Sequence, residues 1–302
     1  MKIFLANTYS SWRGDILENY MKIYLAGTLT GNNSYIYRDM NVHLVDLKRI
    51  KKDMEIFIAR GNCGWMTGKE IKFNDFLDIY ILESFFYLDD WMKVLIKKKV
   101  FKRFLLDSGA FTFMTGVGGE VNWEEYVDKY AKFIKEYDVE LFFELDIDSV
   151  VGLKKVEELR GRLEEKSGKR CIPVWHKSRG KEYFIKMCEE YNYVAIGGIV
   201  TKEITGREHK HFPWLIDIAH QNNAKIHGLG YTNLKGLKKY HFDSVDSTAW
   251  IYGNRGGYLY KFTGNTLKQI QSPEGLRLKG REAAIHNFQE WIKFQKYADK
   301  NL

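Results

Sequence analysis

At 302 residues, 45% of them hydrophobic and 15% aromatic, with 3 prolines and no low-complexity tract, the chain can bury one large core, which excludes the disordered and linker-joined classes. A formal net charge of +8 and a pI near 9.1 suit a polyanionic partner, although solvated lysine-rich helix faces give the same balance. Cys63, Cys171 and Cys188 stand far apart with no CxxC pair, and no run reaches the roughly 18 apolar residues of a membrane span, so we expect a cytoplasmic protein without disulfide framework, zinc knuckle or membrane segment.

The N-terminal portion, residues 1–77, is irregular. MKIFLANT at residues 1–8 and MKIYLAGT at residues 21–28 agree at six of eight positions. Chance is the simplest account, and a repeated strand or a second start codon are the others; one short match does not make a repeat architecture. The opening MKIFLANTYSSWRGD is too short in its apolar part for a signal peptide.

From residue 78 onward, short apolar runs alternate with longer amphipathic segments, the form of repeated βα units. Strands are expected at 78–83 (DIYILE), 103–107 (RFLLD), 139–146 (VELFFELD), 171–176 (CIPVWH), 193–197 (YVAIG), 225–230 (KIHGLG) and 242–246 (FDSVD). An eighth comes from 2–6 or 22–26, the first being favoured. Between them lie helices such as 123–137, where Trp123, Tyr126, Val127, Tyr130, Ala131 and Ile134 recur at helical spacing as a core stripe. Residues 258–272 (YLYKFTGNTLKQIQS) alternate around a GN pair and predict a β-hairpin at the rim. Residues 281–300 carry a last helix through Ile285, Phe288, Ile292 and Tyr297. The expected fold class is α/β, a single (β/α)8 TIM-barrel domain over 1–302 with a small extra hairpin near the C-terminus and its motif-bearing barrel at 78–300.

Nearly every expected strand ends in a polar residue or glycine: Asp107, Asp146, His176, Gly197 and Gly198, Gly228 and Gly230, and Asp246. In a parallel barrel these ends share the catalytic face. Aspartates capping the next helix are the ordinary alternative for each alone, but packing does not choose three unpaired carboxylates. Two carboxylates across a site suit glycosyl transfer, one attacking the anomeric carbon and the other moving protons. Glycines beside them let a planar ring lie against the backbone.

These motifs resemble a known family. Residues 107–114 (DSGAFTFM) resemble the DSGG(F/Y)QxM segment of the tRNA-guanine transglycosylase superfamily. Residues 193–199 (YVAIGGI) are similar to its YAxGGL strand, and 227–230 (HGLG) with 242–246 (FDSVD) to its MGxG and VDxFD elements. The likeness covers roughly residues 78–300. It departs from the family in lacking the CxCxxC zinc cluster, so no metal or other cofactor is expected. His286 resembles the histidine that completes that zinc site and is read as a structural remnant, since one histidine does not make a four-ligand site. The loop at 247–255 keeps one arginine, Arg255. The zinc-less pattern, with DSGAFTFM, a VDSTxW segment at 245–250 and ILESFFYL before the first motif, is most similar to the phage DNA-guanine transglycosylase branch.

The resemblance implies that Asp246 attacks C1′ of the target nucleoside and that Asp107 shuttles the proton. It implies that Asp146, or alternatively Asp148, reads the N1 and exocyclic amino hydrogens of a guanine-like ring. Phe111 and His227 are the implied walls of the base site, with Ser108, His176, Gly197, Gly198 and Ile199 along its edge. Phe111 in the core and His227 as a satisfied interior histidine are the plain readings of those two. Arg255 with Lys97, Lys98, Lys99, Lys102 and Arg103 are candidates for holding phosphates. The implied partners are DNA and a 7-deazaguanine base; tRNA, a non-catalytic partner subunit, and an unrelated barrel hydrolase are the alternatives.

Overall fold

The fold is that of a computed structural model, which describes residues 2–3, 22–26, 80–88, 90–97, 99, 101–114, 121–231, 233–250, 258–271 and 280–302. Its principal sheet has nine strands: β1 (Lys2–Ile3), β2 (Lys22–Ala26), β3 (Tyr80–Ser84), β4 (Arg103–Asp107), β5 (Leu141–Phe142), β6 (Val174–Trp175), β7 (Tyr193–Ile196), β8 (Lys225–Gly228) and β9 (Ser244–Asp246). Their order is β5-β4-β3-β2-β1-β9-β8-β7-β6, and every pairing is parallel. Where the order runs out on both sides, Phe143 forms a parallel bridge with Ile172. There the Ile172 N–H donates to the Phe142 carbonyl at 2.8 Å, and the Glu144 N–H donates to the Ile172 carbonyl at 3.1 Å.

The strands are shorter than the apolar runs that predicted them. Residues 139–146 pair regularly only at Leu141–Phe142, and residues 171–176 only at Val174–Trp175. Pro173 has no N–H to give a neighbour, and the Val174 N–H is taken at 2.7 Å by the Glu144 carboxylate instead of a backbone carbonyl. Both N-terminal candidates form strands, correcting the choice of one. Lys2 and Lys22 both register with Ser244, and Ile3 and Ile23 both with Val245.

The helices follow their stripes: α1 (Asp90–Lys97), α2 (Ala110–Met114), α3 (Trp123–Glu136), α4 (Asp148–Val151), α5 (Leu153–Ser167), α6 (Lys181–Glu190), α7 (Phe212–Gln221), α8 (Leu234–Leu237) and α9 (Gly280–Asn301). In α3 the Asn122 side chain accepts the Glu125 N–H, and Glu124 and Glu125 sit in the positive first turn. The helix buries Val127, Tyr130, Ala131, Phe133 and Ile134. The expected hairpin is β10 (Tyr258–Phe262) against β11 (Leu267–Gln271). It docks on α9, where Asn287 and Glu290 accept the N–H groups of Tyr260 and Phe262 at 2.7 and 2.6 Å.

The apolar interior divides by strand alternation. Ile81, Leu106, Phe142, Val194, Ile226 and Val245 join the helices in one cluster. Tyr80, Leu82, Leu105, Phe143, Ile172, Val174 and Ala195 form a second. That second cluster draws on β3, β4, β7 and both sides of the Phe143–Ile172 bridge, so side chains from opposite ends of the strand order meet on one face.

Candidate functional site

The strand ends converge as the sequence suggests. Asp107 ends β4, and Gly109, two residues on, turns back at φ +78° to donate its N–H to Oδ2 at 2.9 Å. A β-carbon at Gly109 would lie 2.6 Å from that of Phe86, so the turn and its packing both require glycine. Burial and the neighbouring Asp146 and Asp246 push the Asp107 carboxyl up to about 7, against the Gly109 hydrogen bond that lowers it. It is therefore available both to give and to take a proton near neutrality.

Asp246 ends β9 and is 6% exposed. Its Oδ1 accepts the N–H of Gly230, which stands at φ +69° beyond β8, and faces His227 Nε2 at 3.3 Å. These partners belong to the neighbouring βα unit. The next turn is capped by Ser247, whose hydroxyl accepts the Ala249 N–H, so helix capping does not account for Asp246. Burial holds His227 below its ordinary pKa and hence neutral, although Asp246 acts the other way. A neutral ring that donates from Nε2 to Asp246 accepts at Nδ1 from the Ser244 hydroxyl 2.6 Å away, and Ser244 in turn contacts the Tyr193 hydroxyl. Tyr193, Ser244, His227 and Asp246 thus form one chain of hydrogen bonds.

Asp146 and Asp148 differ in their partners. Regular pairing ends before either residue, so strand alternation does not set their directions. Asp148 opens α4 and is clamped by Arg179, Nε to Oδ1 at 2.8 Å and Nη2 to Oδ2 at 2.7 Å. Arg179 also binds the fully buried Glu144 at 2.9 Å, and Arg160 holds its other oxygen at 3.2 Å. Asp146 instead faces Asp107 and His176.

His176 Nδ1 contacts Glu203 at 2.9 Å, while Nε2 lies 3.5 Å from Asp146 and has no hydrogen-bond partner among the described residues. Burial lowers its pKa, but the two carboxylates outweigh burial and raise it to about 9. Its ring packs on Gly197, where a β-carbon would come within 2.7 Å of it. Glu203 also accepts the Ser178 N–H and lies over Gly198. Sequence reasoning missed Glu203, a loop residue outside every periodic pattern.

Other expectations fare unevenly. Ser108 is enclosed, its hydroxyl spent on the Ala110 N–H and its carbonyl on Tyr126. His227 is 0% exposed, with Phe143 tilted across it at 5.2 Å, so it backs Asp246 and offers no open stacking face. Ile199 packs partly against the core. Phe111 lies in α2, but its side chain is outside the described residues, as are Lys98 and Arg255. The basic cluster lies at the opposite end of β4 from Asp107. Arg103 opens β4 and Asp107 closes it, about 13 Å along the strand. There Lys99, Lys102 and Arg103 pair with Asp138, Asp299 and Glu140, and Lys97 lies over the Tyr137 ring. Among the described residues no group of three or more His, Cys, Asp or Glu is arranged to hold a metal ion. His286 donates to the Tyr260 carbonyl at 2.8 Å, fastening the hairpin to α9. Cys171 and Cys188 are buried and free, and no described helix is long and apolar enough to cross a membrane. Comparison with protein-family models finds no match, and neither does comparison with curated proteins.

Proposed function

We propose that the protein is a guanine transglycosylase that exchanges guanine in DNA for a 7-deazaguanine through a covalent glycosyl-aspartate. The observation that carries the reading is the pair Asp107 and Asp246. These two electrostatically coupled carboxylates on one end of the sheet differ in surroundings, one kept near neutrality in pKa and the other tied to an amide and a histidine.

Asp246 attacks C1′, and the C1′–N9 bond breaks with its electron pair going to guanine, which takes the Asp107 proton. The Asp107 carboxylate then removes the N9 proton of the incoming base, whose nitrogen displaces Asp246 from C1′. Two displacements retain the configuration, and no redox or nucleotide cofactor enters the balance. Asp146 accepts from the ring's N–H groups, and the Nε2–H of His176 donates to the ring's carbonyl oxygen. Adenine lacks that complement of donors and acceptor. The reading takes the sheet as a closed (β/α)8 barrel, supported by the Phe143–Ile172 bridge and by the inner cluster that spans it.

The test is incubation with labelled guanine or 7-cyano-7-deazaguanine and either DNA or tRNA. Label is expected in DNA. Asp246→Asn should abolish exchange and the denaturation-resistant adduct alike. Label in tRNA alone would move the substrate class, and label in neither would overturn the reading.

A further inference from the structure

The large hydrophobic residues exposed among the described ones are Phe86 at 36%, Tyr87 at 40%, Val150 at 53% and Val200 at 62%. All four follow the C-terminal ends of strands: Phe86 and Tyr87 after β3, Val150 in α4 beyond β5, and Val200 after β7. Two of them stand on the glycines that serve the aspartates. Phe86 packs on Gly109, which donates to Asp107, and a β-carbon at Gly230, which donates to Asp246, would lie 2.2 Å from Val200 Cγ2. Phe86 and Tyr87 meet edge to face at 4.8 Å on the Asp107 side, and Val200 stands on the Asp246 side, so apolar groups flank the polar site.

The same rim is basic. Residues 200–211 join β7 to α7 and include Lys202, Arg207 and Lys210, all exposed and without an acidic partner among the described residues. This loop is anchored beside the site, because Glu203 binds His176, Glu208 pairs with Lys177, and the Ile204 N–H donates to the Gly198 carbonyl at 3.0 Å. Its own carboxylates are thereby matched, leaving the three cations to face outward. Aromatic and aliphatic platforms interleaved with unpaired cations fit a single polynucleotide strand, whose bases stack while its phosphates are neutralised.

We propose that this rim seats one strand of nucleic acid. The bases on either side of the target rest on Phe86 with Tyr87 and on Val200, and the phosphates lie against Lys202, Arg207 and Lys210. The inference rests on the transglycosylase reading for the nucleotide between those bases. It also relocates the phosphate-binding surface from residues 97–103 to residues 202–210.

The test is fluorescence anisotropy with a labelled single-stranded oligonucleotide containing guanine, across a salt series. The intact protein is compared with Phe86→Ala/Tyr87→Ala, Val200→Ser and Lys202→Glu/Arg207→Glu/Lys210→Glu, each checked for an unchanged circular dichroism spectrum. The aromatic pair should weaken binding at least about fivefold, the low end for loss of one base stack. Charge reversal should lower the slope of log affinity against log salt by about 2, near 0.7 for each lost contact to a single strand. Because Phe86 also supports Gly109, Tyr87→Ala alone is the second variant, expected to go the same way. Affinity for free guanine, measured alongside, should be the same in Tyr87→Ala and in the charge-reversal variant as in the intact protein. Oligonucleotide affinity unchanged by every variant, or no binding by the intact protein, would overturn the rim. So would a Val200→Ser effect confined to self-association, which would make the patch a contact between copies. Failure to bind free guanine would count against the transglycosylase reading alone.

Discussion

Asp107 is placed where its charge is unwelcome. Folding raises its carboxyl from 3.8 to about 7, so the native state holds the proton more tightly than the unfolded chain does. By linkage its contribution is most favourable below pH 3.8 and is lost as pH rises through about 7. Asp107→Asn keeps an acceptor for the Gly109 N–H and removes the charge. Its unfolding free energy should therefore gain on the parent's between pH 5 and pH 8, at up to about 1.4 kcal/mol per pH unit, read by denaturant unfolding, while exchange is lost. A margin that stays constant over that range would mean that the carboxyl is not perturbed. At this scale the sequence is legible where a chemical contrast is local: an aspartate closing an apolar run stands out. It is silent where the partner is distant. Arg179 lies 31 residues from Asp148, and Glu203 lies 27 residues from His176. Neither spacing belongs to a helix or a strand, so no periodicity announces the contacts that separate Asp148 from Asp146.

Elements were legible in kind and less so in extent. Alternation between apolar runs and amphipathic stripes finds β3 to β9 and the long helices, because burial dictates both. It overestimates β5 and β6, because hydrophobicity does not report which backbone groups find a partner. Pro173 and the Glu144 carboxylate decide that locally. The N-terminal repeat gains a meaning that composition could not supply. Two segments with nearly the same residues take the same register on β9, and Lys2 of β1 also pairs with Lys22 of β2. The two strands are neighbours, so their losses should couple. Ile3→Pro and Ile23→Pro each remove a backbone donor, and thermal melts should show a loss for the pair that departs from the sum of the two. Simple additivity would mean that the two strands act independently.

At the scale of the molecule, two groups of described cations differ in their partners. Cations at the start of β4 are spent on Asp138, Glu140 and Asp299, whereas those of residues 202–210 are not. Net charge alone cannot make that distinction, since a paired and an unpaired lysine count alike in the sequence. Lys97→Glu, an exposed change at the far end of the strands, should leave oligonucleotide affinity and its salt slope unaltered in the same anisotropy assay. A drop comparable to that of the rim variants would place the nucleic acid at both ends. The bridge between Phe143 and Ile172 has a further consequence. In the closed barrel proposed above, the sheet would be a hoop buckled by this rung, with Glu144 and its two arginines as the clasp. Any breathing of the hoop concentrates there, within a few residues of Asp146 and His176. The Ile172 amide should exchange with deuterium sooner than its counterparts in β4 and β7, and a base seated against Asp146 and His176 should slow it, reporting occupancy of the site from the far side of the wall.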